Sequence, residues 1–554
     1  MRCCRIIASL LVLGLVLVSC RSSASPLAVQ PITRMPQGTD GYPWWNDTVF
    51  YEIFVRSYYD SNGDGIGDLS GLIEKLDYLN DGDQETSTDL GVTGIWLMPV
   101  HPASSYHGYD VLDYYAINPE YGSIEEFKRL LDEAHQRGMR VIIDLVLNHT
   151  SSDHAWFVAS RDPTSEYRDW YVWSEAEPSG SGWHATDTGY YLGIFWEGMP
   201  DLNYTNPAVT MQMQDIVRYW LQDIGVDGFR LDAAKHLIEE GTLQSHSKAT
   251  HDWYKDFRQF YKSLNPQAIT VGEVWDSSVA ASKYITGDEF DLAFDFDLAE
   301  SLVTSARLGR AEQVSRIMSR DWGLFPPGQF ATFLTNHDQD RSILLFGEEV
   351  GKAKSAASAL LTLPGAPFIY YGEEIGMFGK KPDEMIRTPM QWTADENAGF
   401  TDGVPWISVY PDFAAGKNVA DESADPDSLL SHYRKLIHLR NQHVALRVGD
   451  YFPVEVDNEA IFTYLRASKE EVVLVILNLG KDPINEFYLT LGQGPLKEAY
   501  EAVVIFGEDR MAEDEVLTSP VINAKGGFDT YKPLVANQTL PANGSLIVQL
   551  RPIK

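Results

Sequence analysis

The chain has 554 residues, of which 44% are hydrophobic and 12% aromatic, so it can bury one large core and smaller ones beside it. This composition excludes an intrinsically disordered chain. The formal net charge of −35 argues against nucleic acid or another anionic polymer as a partner, whereas 14 Trp and 28 Tyr suit a neutral substrate. The sequence gives no sign of an obligate protein partner.

The first residues are typical of an export signal. Arg2 and Arg5 precede an apolar run over 6–18 that is short for a membrane span. Leu17-Val18-Ser19-Cys20 then resembles a bacterial lipobox, which predicts lipid on Cys20; the alternative is an ordinary signal with a chance cysteine. We therefore expect an exported bacterial lipoprotein, anchored to the cell membrane through Cys20, with residues 20–43 as a flexible tether.

A run of oxygen-bearing side chains follows the apolar stretch 49–55. Side chains of Asp60, Asn62, Asp64 and Asp68 alternate with other residues, and the Ile66 carbonyl occupies the seventh position. Gly65 at the sixth position suits a tight turn, so the pattern predicts a loop that binds Ca²⁺. The twelfth position is Gly71 instead of Glu, so we expect an EF-hand-like loop on another scaffold, and a solvated Asp/Gly turn is the alternative.

Eight short apolar segments alternate with helical patterns along the chain. Strands that are apolar on both faces and separated by helices predict a parallel sheet with helices outside, and eight of them predict a (β/α)8 barrel. The predicted strands are 49–55, 93–100, 140–147, 226–232, 268–275, 290–296, 330–336 and 366–372.

Acidic and basic residues stand at the ends of several of these strands. The third strand ends in Asp144 and is followed by Asn148 and His149. Asp232 ends the fourth strand, Glu273 the fifth and His337-Asp338 the seventh. Because a barrel gathers the carboxyl ends of its strands on one rim, we expect these groups to converge there.

The remaining segments divide the chain further. Residues 150–204 are too long for an ordinary loop and are rich in Tyr and Trp, so we predict an inserted domain that forms one wall of a cleft. After residue 446 the pattern changes to short strands, which predicts an antiparallel β-sandwich. The predicted divisions are 1–19 signal peptide, 20–43 tether, 44–149 and 205–446 barrel, 150–204 inserted domain and 447–554 sandwich.

Three carboxylates on one rim suit hydrolysis of a glycosidic bond with retention of configuration. We assign Asp232 as the nucleophile and expect Arg230 to keep it ionised, although a lone Arg-x-Asp is more often structural. Glu273 is assigned as the acid/base, with its proton retained in a dry setting against Trp275. Asp338 is assigned to stabilise positive charge on the sugar ring.

These residues lie in segments that resemble, in order, those of the α-amylase family of glycoside hydrolases. The matching segments are Gly94-Ile-Trp-Leu-Met-Pro99, Asp144-Leu-Val-Leu-Asn-His149, Met199-Pro-Asp-Leu-Asn203, Gly228-Phe-Arg-Leu-Asp-Ala-Ala-Lys-His236, Gly272-Glu-Val-Trp275 and Thr335-Asn-His-Asp338. The resemblance implies the same roles for Asp232, Glu273 and Asp338. It also implies that Tyr109 stacks on the sugar at the cleavage point and that His149, Arg230 and His337 contact that sugar.

The resemblance is divided between subfamilies. Arg387-Thr-Pro-Met-Gln-Trp392 and Asp110 resemble oligo-1,6-glucosidases, whereas Lys235 and His236 resemble the leaving-side sugar contacts of α-amylases. The segment at Met199 resembles a group between oligo-1,6-glucosidases and neopullulanases that includes lipid-anchored amylases. Asn148 and the His236 carbonyl match positions of the family's main calcium site.

We therefore predict a retaining, endo-acting α-amylase that cleaves internal α-1,4 bonds of starch, glycogen and maltodextrins. One alternative is an exo-acting α-glucosidase or oligo-1,6-glucosidase, which an Arg387–Asp110 pair closing the cleft would favour. A trehalose-forming glucosyl transferase is another. A catalytically inactive glucan-binding surface protein is a remote alternative, because none of the three carboxylates is missing.

Overall fold

The computed structural model describes residues 35–83, 85–507 and 511–553. Its central feature is an eight-stranded parallel sheet, whose strands are β1 Phe50–Ile53, β2 Gly94–Leu97, β3 Arg140–Leu145, β4 Gly228–Leu231, β5 Ile269–Gly272, β6 Leu292–Ala293, β7 Ala331–Thr332 and β8 Ala366–Tyr370. Their spatial order is β7-β8-β1-β2-β3-β4-β5-β6. An isolated parallel bridge between Phe294 and Ala331 joins the ends of β6 and β7. The predicted (β/α)8 barrel is therefore confirmed.

The strand side chains alternate between two apolar environments. Inward-facing residues such as Phe50, Ile142 and Phe368 form one cluster inside the barrel, and the Phe50 and Phe368 rings stack 4.4 Å apart. Outward-facing residues such as Tyr51 and Ile143 belong to a second core beneath the helices. Burial on both faces explains why the strands read as continuous apolar runs instead of alternating ones.

The helices surround this sheet, and several begin at clear capping residues. Ser123 forms a capping box with Glu126, and the helix that follows ends before Gly138, whose φ of 83° suits only a residue without a Cβ. The α-helices are Leu69–Glu74, Leu76–Leu79, Ile124–Gln136, Ala155–Ser160, Pro207–Arg218, Lys248–Leu264, Ser278–Ala281, Phe296–Leu308, Glu312–Trp322, Ser342–Leu345, Val350–Thr362, Asp383–Ile386, Val419–Ala424, Leu429–Gln442 and Val444–Val448.

The segment between β3 and the helix Pro207–Arg218 contains a small antiparallel sheet of its own. Its three strands are Trp173–Ser174, Trp183–Thr186 and Gly189–Leu192, with the last in the middle. Asp201 and Leu202 bridge back to His149 and Tyr171. The end of the segment is therefore fixed beside the carboxyl end of β3.

The C-terminal part consists of two packed antiparallel sheets. A six-stranded sheet contains Asp450–Pro453, Ile461–Ala467, Val472–Asn478, Ser545–Pro552, Tyr500–Phe506 and Val516–Leu517 in spatial order. A three-stranded sheet contains Glu455–Val456, Leu489–Leu491 and Phe528–Tyr531. Leu474 and Ile476 pack toward the small sheet, whereas Val473, Val475 and Leu477 join the core around the barrel.

The N-terminal predictions fall mostly outside the described residues. The signal peptide and Cys20 lie there, as does most of the predicted tether. Residues 35–43 contact the barrel: Arg140 donates a hydrogen bond to the Pro36 carbonyl, and Thr39 donates one to Asp47. Within 35–83, 85–507 and 511–553, no helix combines the length and apolarity that a membrane crossing requires.

Candidate active site

A polar layer lies directly above the apolar interior of the barrel. Glu52, Asp144 and Arg230 are each two residues beyond an inward-facing position, and the pleat of a strand therefore turns them inward as well. Asp144 is the register partner of Arg230 on the neighbouring strand. All three side chains are buried, at 1% exposure each. Strand alternation thus places charge at the carboxyl end of the barrel.

Arg230 connects three carboxylates through its two terminal nitrogens. Nη1 lies 2.6 Å from Asp144 Oδ1 and 2.7 Å from Asp232 Oδ1. Nη2 lies 2.9 Å from Glu273 Oε2. The planar, always-charged guanidinium fits such a fork geometry, whereas a lysine ammonium is a point charge. The predicted nucleophile and the predicted acid/base therefore share one cation.

Burial is the largest influence on the pKa values of Asp232 and Glu273. Burial raises the pKa of Asp232, and Arg230 opposes this rise without overcoming it. Burial also raises the pKa of Glu273, again against Arg230 and reinforced by the charge of Asp232. The prediction that Arg230 keeps Asp232 ionised considered only the charge; the larger effect is desolvation. As a result, the pair retains a proton to higher pH than isolated carboxyls do.

The pKa of Asp338 is shifted in the opposite direction to those of Asp232 and Glu273. Burial alone raises the pKa of Asp338, but His337 and Arg387 outweigh it and lower that pKa well below its ordinary value. Arg387 Nη2 lies 2.7 Å from Asp338 Oδ1, and His337 Nε2 lies 3.3 Å from Oδ2. Although burial disfavours the imidazolium, Asp338 and Glu52 raise the pKa of His337 to about 10. Asp338 is therefore ionised, facing a protonated histidine.

Two residues of this network had no chemical role in the sequence-based prediction, although Asp144 was expected at the barrel rim. Asp144 accepts hydrogen bonds from Arg230 and from the Trp96 indole, and burial raises its pKa to about 7. Glu52 Oε1 lies 2.5 Å from His337 Nδ1. For Glu52, the signal in the sequence was a single carboxylate inside an otherwise apolar predicted strand. Its partner was not deducible, because it lies 285 residues away.

These groups open into a cavity of about 360 Å³. Six predicted site residues line it: Tyr109, His149, Asp232, Glu273, Asp338 and Arg387. Arg230 and His337 lie behind the wall, at 1% and 0% exposure. The Tyr109 ring stacks on the His337 ring at 5.5 Å, and its hydroxyl lies 2.7 Å from Nε2. Burial lowers the pKa of His149 to about 4, so its ring is neutral.

Three other predicted substrate contacts do not line this cavity. Asp110 is buried and accepts hydrogen bonds from Ser105. Lys235 Nζ donates to the Trp275 carbonyl at 2.7 Å, and His236 Nδ1 lies 2.8 Å from the Gln244 carbonyl. His236 also packs edge-on against Phe195. Lys235 and His236 thus hold two wall residues, Trp275 and Phe195, in place.

Exposed aromatic side chains form part of the cavity wall, and of these only Trp275 had a predicted role, beside Glu273. Phe195 and Trp196 of the inserted segment are 48% and 47% exposed, and Trp275 is 44% exposed. Trp275 stacks on Phe296 at 4.9 Å and lines the same cavity as Glu273. Glu273 itself is 8% exposed, so its setting is dry, as predicted.

The predicted calcium loop forms a tight turn that carries several side-chain oxygens. Asn62 and Asp64 each use one oxygen to accept a backbone N–H two residues on, and are exposed. Asp60 and Asp68 are buried and accept several hydrogen bonds within the loop, yet a carboxylate has about four lone-pair sites. Gly65 has φ of 92°, and a Cβ there would meet the Val404 carbonyl. The turn expected at the sixth position is present.

A second group of oxygens surrounds Asn148. Asn148 Oδ1, Asp201 Oδ2 and Glu239 Oε1 are buried and have no hydrogen-bond partner among the described residues. Asn148 Nδ2 donates to Asp201 Oδ1 at 3.2 Å. Burial and the nearby Glu239 charge raise the pKa of Asp201 well above its usual value. Unpaired buried oxygens of this kind fit a hard cation. Neither loop nor cluster has three His, Cys, Asp or Glu side chains in metal-binding geometry within the described ranges.

Two carboxyls on one buried guanidinium, with an ionised third carboxylate lining the same cavity, suit the hydrolysis of a glycosidic bond on a (β/α)8 barrel. Comparison with known proteins agrees. A family model described as "Alpha amylase, catalytic domain" matches residues 52–449. The chain therefore belongs to the α-amylase family of glycoside hydrolases.

Individual relatives carry different activity names. Alpha-amylase 3 of Dictyoglomus thermophilum is 41% identical over 445 residues, which cover 79% of this chain and 85% of the relative. An oligo-1,6-glucosidase of Parageobacillus thermoglucosidasius is 35% identical over 517 residues, covering 78% and 90%. The crystal structure of an α-amylase from H. orenii superposes with a TM-score of 0.77 at 41% identity, covering 91% of this chain and 99% of that one.

Proposed function

We propose that the protein is a retaining, endo-acting α-amylase that hydrolyses internal α-1,4-glucosidic bonds of starch, glycogen and maltodextrins. The observation that carries this proposal is the position of Asp232 and Glu273 on the two terminal nitrogens of Arg230. A nucleophile and a proton donor at this short range suit a double displacement, since retaining enzymes hold their two carboxyl groups close together.

In the first step, a carboxylate oxygen of Asp232 attacks the anomeric carbon. The bond from that carbon to the glycosidic oxygen breaks, and the Glu273 proton moves to the departing oxygen. A glucosyl ester of Asp232 and a shortened glucan with a free hydroxyl result. The raised pKa of Glu273 suits this step, because the group must hold its proton until the oxygen takes it.

In the second step, the Glu273 carboxylate removes a proton from water. The water oxygen attacks the anomeric carbon from the face that the leaving group vacated, and the ester bond to Asp232 breaks. Asp232 leaves as a carboxylate, Glu273 is protonated again, and the product has the α configuration. Two inversions thus give retention.

Asp338 and its partners serve the transition states between these species. The ring acquires positive charge, and an ionised carboxylate fixed by Arg387 and His337 stabilises that charge without reorganising. Tyr109 offers its ring to the sugar at the cleavage point, and neutral His149 offers an imidazole nitrogen to a hydroxyl group. Arg230 and His337 act from behind, by holding Asp232 and Asp338.

The partners of Arg387 support endo action. Arg387 bonds to Asp338 and approaches Asp383 at 3.4 Å. Asp110 instead accepts from Ser105. The Arg387–Asp110 pair that would close the cleft for exo action is absent among residues 35–83, 85–507 and 511–553.

A blocked substrate tests this proposal. Maltoheptaose with its non-reducing end capped by an ethylidene group should be cleaved about as fast as the free oligosaccharide, and amylose should yield mixed oligomers early. NMR of the first products should show the α-anomer. The Asp232→Asn variant controls for contaminating activity. Resistance of the capped substrate, with glucose as the first product from amylose, would refute endo action.

An exo-acting oligo-1,6-glucosidase is the second candidate. It is favoured by the Arg387–Trp392 segment and by 35% identity to a protein of that name. Release of glucose from isomaltose at a rate comparable with amylose cleavage would support it. A trehalose-forming transferase would instead convert maltose without net hydrolysis. An inactive glucan-binding protein is disfavoured, because all three carboxylates are present in one cavity.

We also propose Ca²⁺ as a structural ion. The Asp60–Asp68 loop would hold it through Asp60, Asn62, Asp64, the Ile66 carbonyl and Asp68. The second group would hold it through Asn148 and Asp201, with Glu239 and the His236 carbonyl nearby. Bound there, the ion would stiffen the turn before the helix Leu69–Glu74 and the base of the inserted segment.

Membrane anchoring is proposed from the lipobox alone. If Cys20 carries lipid, the protein should incorporate labelled palmitate and remain with the membrane fraction, whereas the Cys20→Ser variant should do neither. Equal release of both forms into the medium would contradict this localisation.

A further inference from the structure

His337 lies between two carboxyl groups, behind the wall of the catalytic cavity. Its Nδ1 lies 2.5 Å from Glu52 Oε1, and its Nε2 lies 3.3 Å from Asp338 Oδ2. His337 and Glu52 are almost fully buried, at 0% and 1% exposure. Water therefore does not compete with either carboxylate for a ring nitrogen.

These contacts determine the protonation of the His337 ring. An ionised carboxylate only accepts hydrogen bonds, so a histidine between two of them carries a proton on each nitrogen. Electrostatics agrees: although burial disfavours the imidazolium, Asp338 and Glu52 raise the pKa of His337 to about 10. Glu52 thus supplies one of the two negative charges that keep the ring protonated.

Tyr109 uses the same ring nitrogen as Asp338. Its hydroxyl lies 2.7 Å from His337 Nε2 and 3.4 Å from Asp144 Oδ2. A hydroxyl has one proton and two lone pairs, so it can donate to Asp144 and accept from His337 at once. Tyr109 and Asp338 both line the catalytic cavity, and Nε2 holds both of them. Glu52 therefore acts on the cavity wall through the His337 ring.

The other charged groups packed around His337 largely offset one another. They are Asp144 on β3, Arg230 and Asp232 at the end of β4, and Arg387 after β8. Among the residues that the structure describes, Glu52 and Asp338 are the carboxylates in contact with the ring. Loss of the Glu52 charge would therefore lower the pKa of His337 from its raised value.

We propose that Glu52 is a positioning residue, which keeps both nitrogens of His337 protonated well above neutral pH so that the ring holds Asp338 and Tyr109 firmly. A neutral ring has one proton for the two sides, and it lacks the charge that makes hydrogen bonds to a carboxylate roughly twice as strong. The inference rests on the proposed function in one respect, the role of Asp338 in stabilising charge on the sugar.

Glu52→Gln tests this proposal with little change of shape, because it removes the charge and replaces one oxygen by nitrogen. In protein with isotope-labelled histidine, nitrogen NMR reports the protonation of each ring nitrogen. The chain has 13 histidines, so the His337 signals are identified by their absence from His337→Gln. The wild type should keep two protonated nitrogens up to about pH 9, below the raised pKa. Glu52→Gln should lose one of these protons at a lower pH.

A second glutamate–histidine pair provides the matched control. Glu289 Oε2 lies 2.9 Å from His251 Nδ1, and Glu289 is 3% exposed. Neither residue lines the catalytic cavity. Glu289→Gln therefore removes the same kind of contact elsewhere and should leave the His337 signals unchanged. Glu52→Asp keeps the negative charge and should restore the second proton.

Kinetics give a second readout. An aryl maltoside with an acidic phenol needs little protonation by Glu273, so its kcat/KM is largely free of the Glu273 limb at high pH. On this substrate, Glu52→Gln should lose about tenfold in kcat/KM as His337 becomes neutral, the effect of one weakened hydrogen bond. The wild type, Glu52→Asp and Glu289→Gln should change little over the same pH range.

A wild-type His337 with one ring proton at neutral pH would overturn the proposal, and this spectrum needs no variant at position 52. Identical titration of His337 in the wild type and Glu52→Gln would overturn it as well. A faster Glu52→Gln at high pH would show that the cation hinders the reaction. Failure of the proposed function looks different, because it would appear in the wild type as glucose released alone from amylose, whatever the NMR shows.

Discussion

Arg230 shows how one side chain can set the chemistry of several others. It is fully buried, positively charged and bonded to Asp144, Asp232 and Glu273. Removing two of these carboxylates from water is costly, and a shared cation offsets part of that cost. The site therefore depends on the shape of the guanidinium as much as on its charge.

We predict that Arg230→Lys lowers kcat roughly 10²-fold or more, because one ammonium cannot replace two forked donors. Far-ultraviolet circular dichroism should confirm that the variant is folded, and rates on amylose should be compared at saturating substrate. Arg218→Lys is a suitable control, since its ion pair with Asp215 is exposed. Wild-type kcat in Arg230→Lys would contradict the role assigned to the fork.

The pH profile should reflect the two raised carboxyl pKa values. The proposed mechanism needs Asp232 ionised and Glu273 protonated, so activity should fall at low pH through the first pKa and at high pH through the second. Because burial raises both, the optimum should lie above the range of exposed carboxyls. We predict that Glu273→Gln loses the alkaline limb of kcat/KM.

The same variant offers a sharper comparison. An aryl maltoside with an acidic phenol as leaving group needs little protonation, so Glu273→Gln should retain far more activity on it than on maltotriose. An equal loss on both substrates would mean that Glu273 is not the proton donor.

At the scale of elements, the sequence predicted the barrel strands better than it predicted which distant side chains pair with one another. Doubly apolar runs identify all eight barrel strands, and acidic strand ends predict three carboxylates that line one cavity. Glu52 could not be assigned, because its partner His337 is distant in sequence and becomes a neighbour only when the barrel closes. Lys235 matches a sugar-binding pattern, and its Nζ bonds to the Trp275 carbonyl, 40 residues away, which the pattern did not predict. Local patterns do not specify such long-range pairs.

Calcium binding is predicted at two places, the Asp60–Asp68 loop and the group of oxygens around Asn148. Asp64→Asn should remove one equivalent of bound Ca²⁺ by weakening the exposed loop, and Asp201→Asn should remove another. Because a ligand that binds only the folded protein stabilises it, chelation should lower the melting temperature of the wild type. Calorimetric titration gives the stoichiometry directly. The exposed Asp162→Asn substitution is the control, and unchanged stoichiometry in both test variants would exclude these sites.

At the scale of the molecule, the C-terminal sheet shares its core with the barrel. Val473, Val475 and Leu477 belong to the same apolar cluster as residues beneath the barrel helices. Arg466 in this sheet donates to the Thr362 carbonyl at 2.6 Å, just before β8. The sheet is therefore a structural partner of the catalytic unit.

Substitution of a buried and of an exposed valine in the C-terminal part should separate this structural role from a general tolerance of substitutions. Val475→Asp buries a charge in the shared core and should cost at least about 4 kcal/mol of stability, enough to abolish soluble expression or catalysis. Val521→Asp should have no measurable effect on the melting temperature, since Val521 is 86% exposed. Similar melting temperatures for both variants would show that the sheet folds independently.

The pleat of the barrel has one more consequence. Ile142 and Asp144 are two residues apart on one strand, so their side chains point to the same side of the sheet. The register that places Ile142 in the lower interior therefore also places the charged side chains above it. A slip by one residue would turn both sets outward together. A chain with this register error would lose the sealed interior and the charged layer together, so one strand pairing is required for both the core and the site.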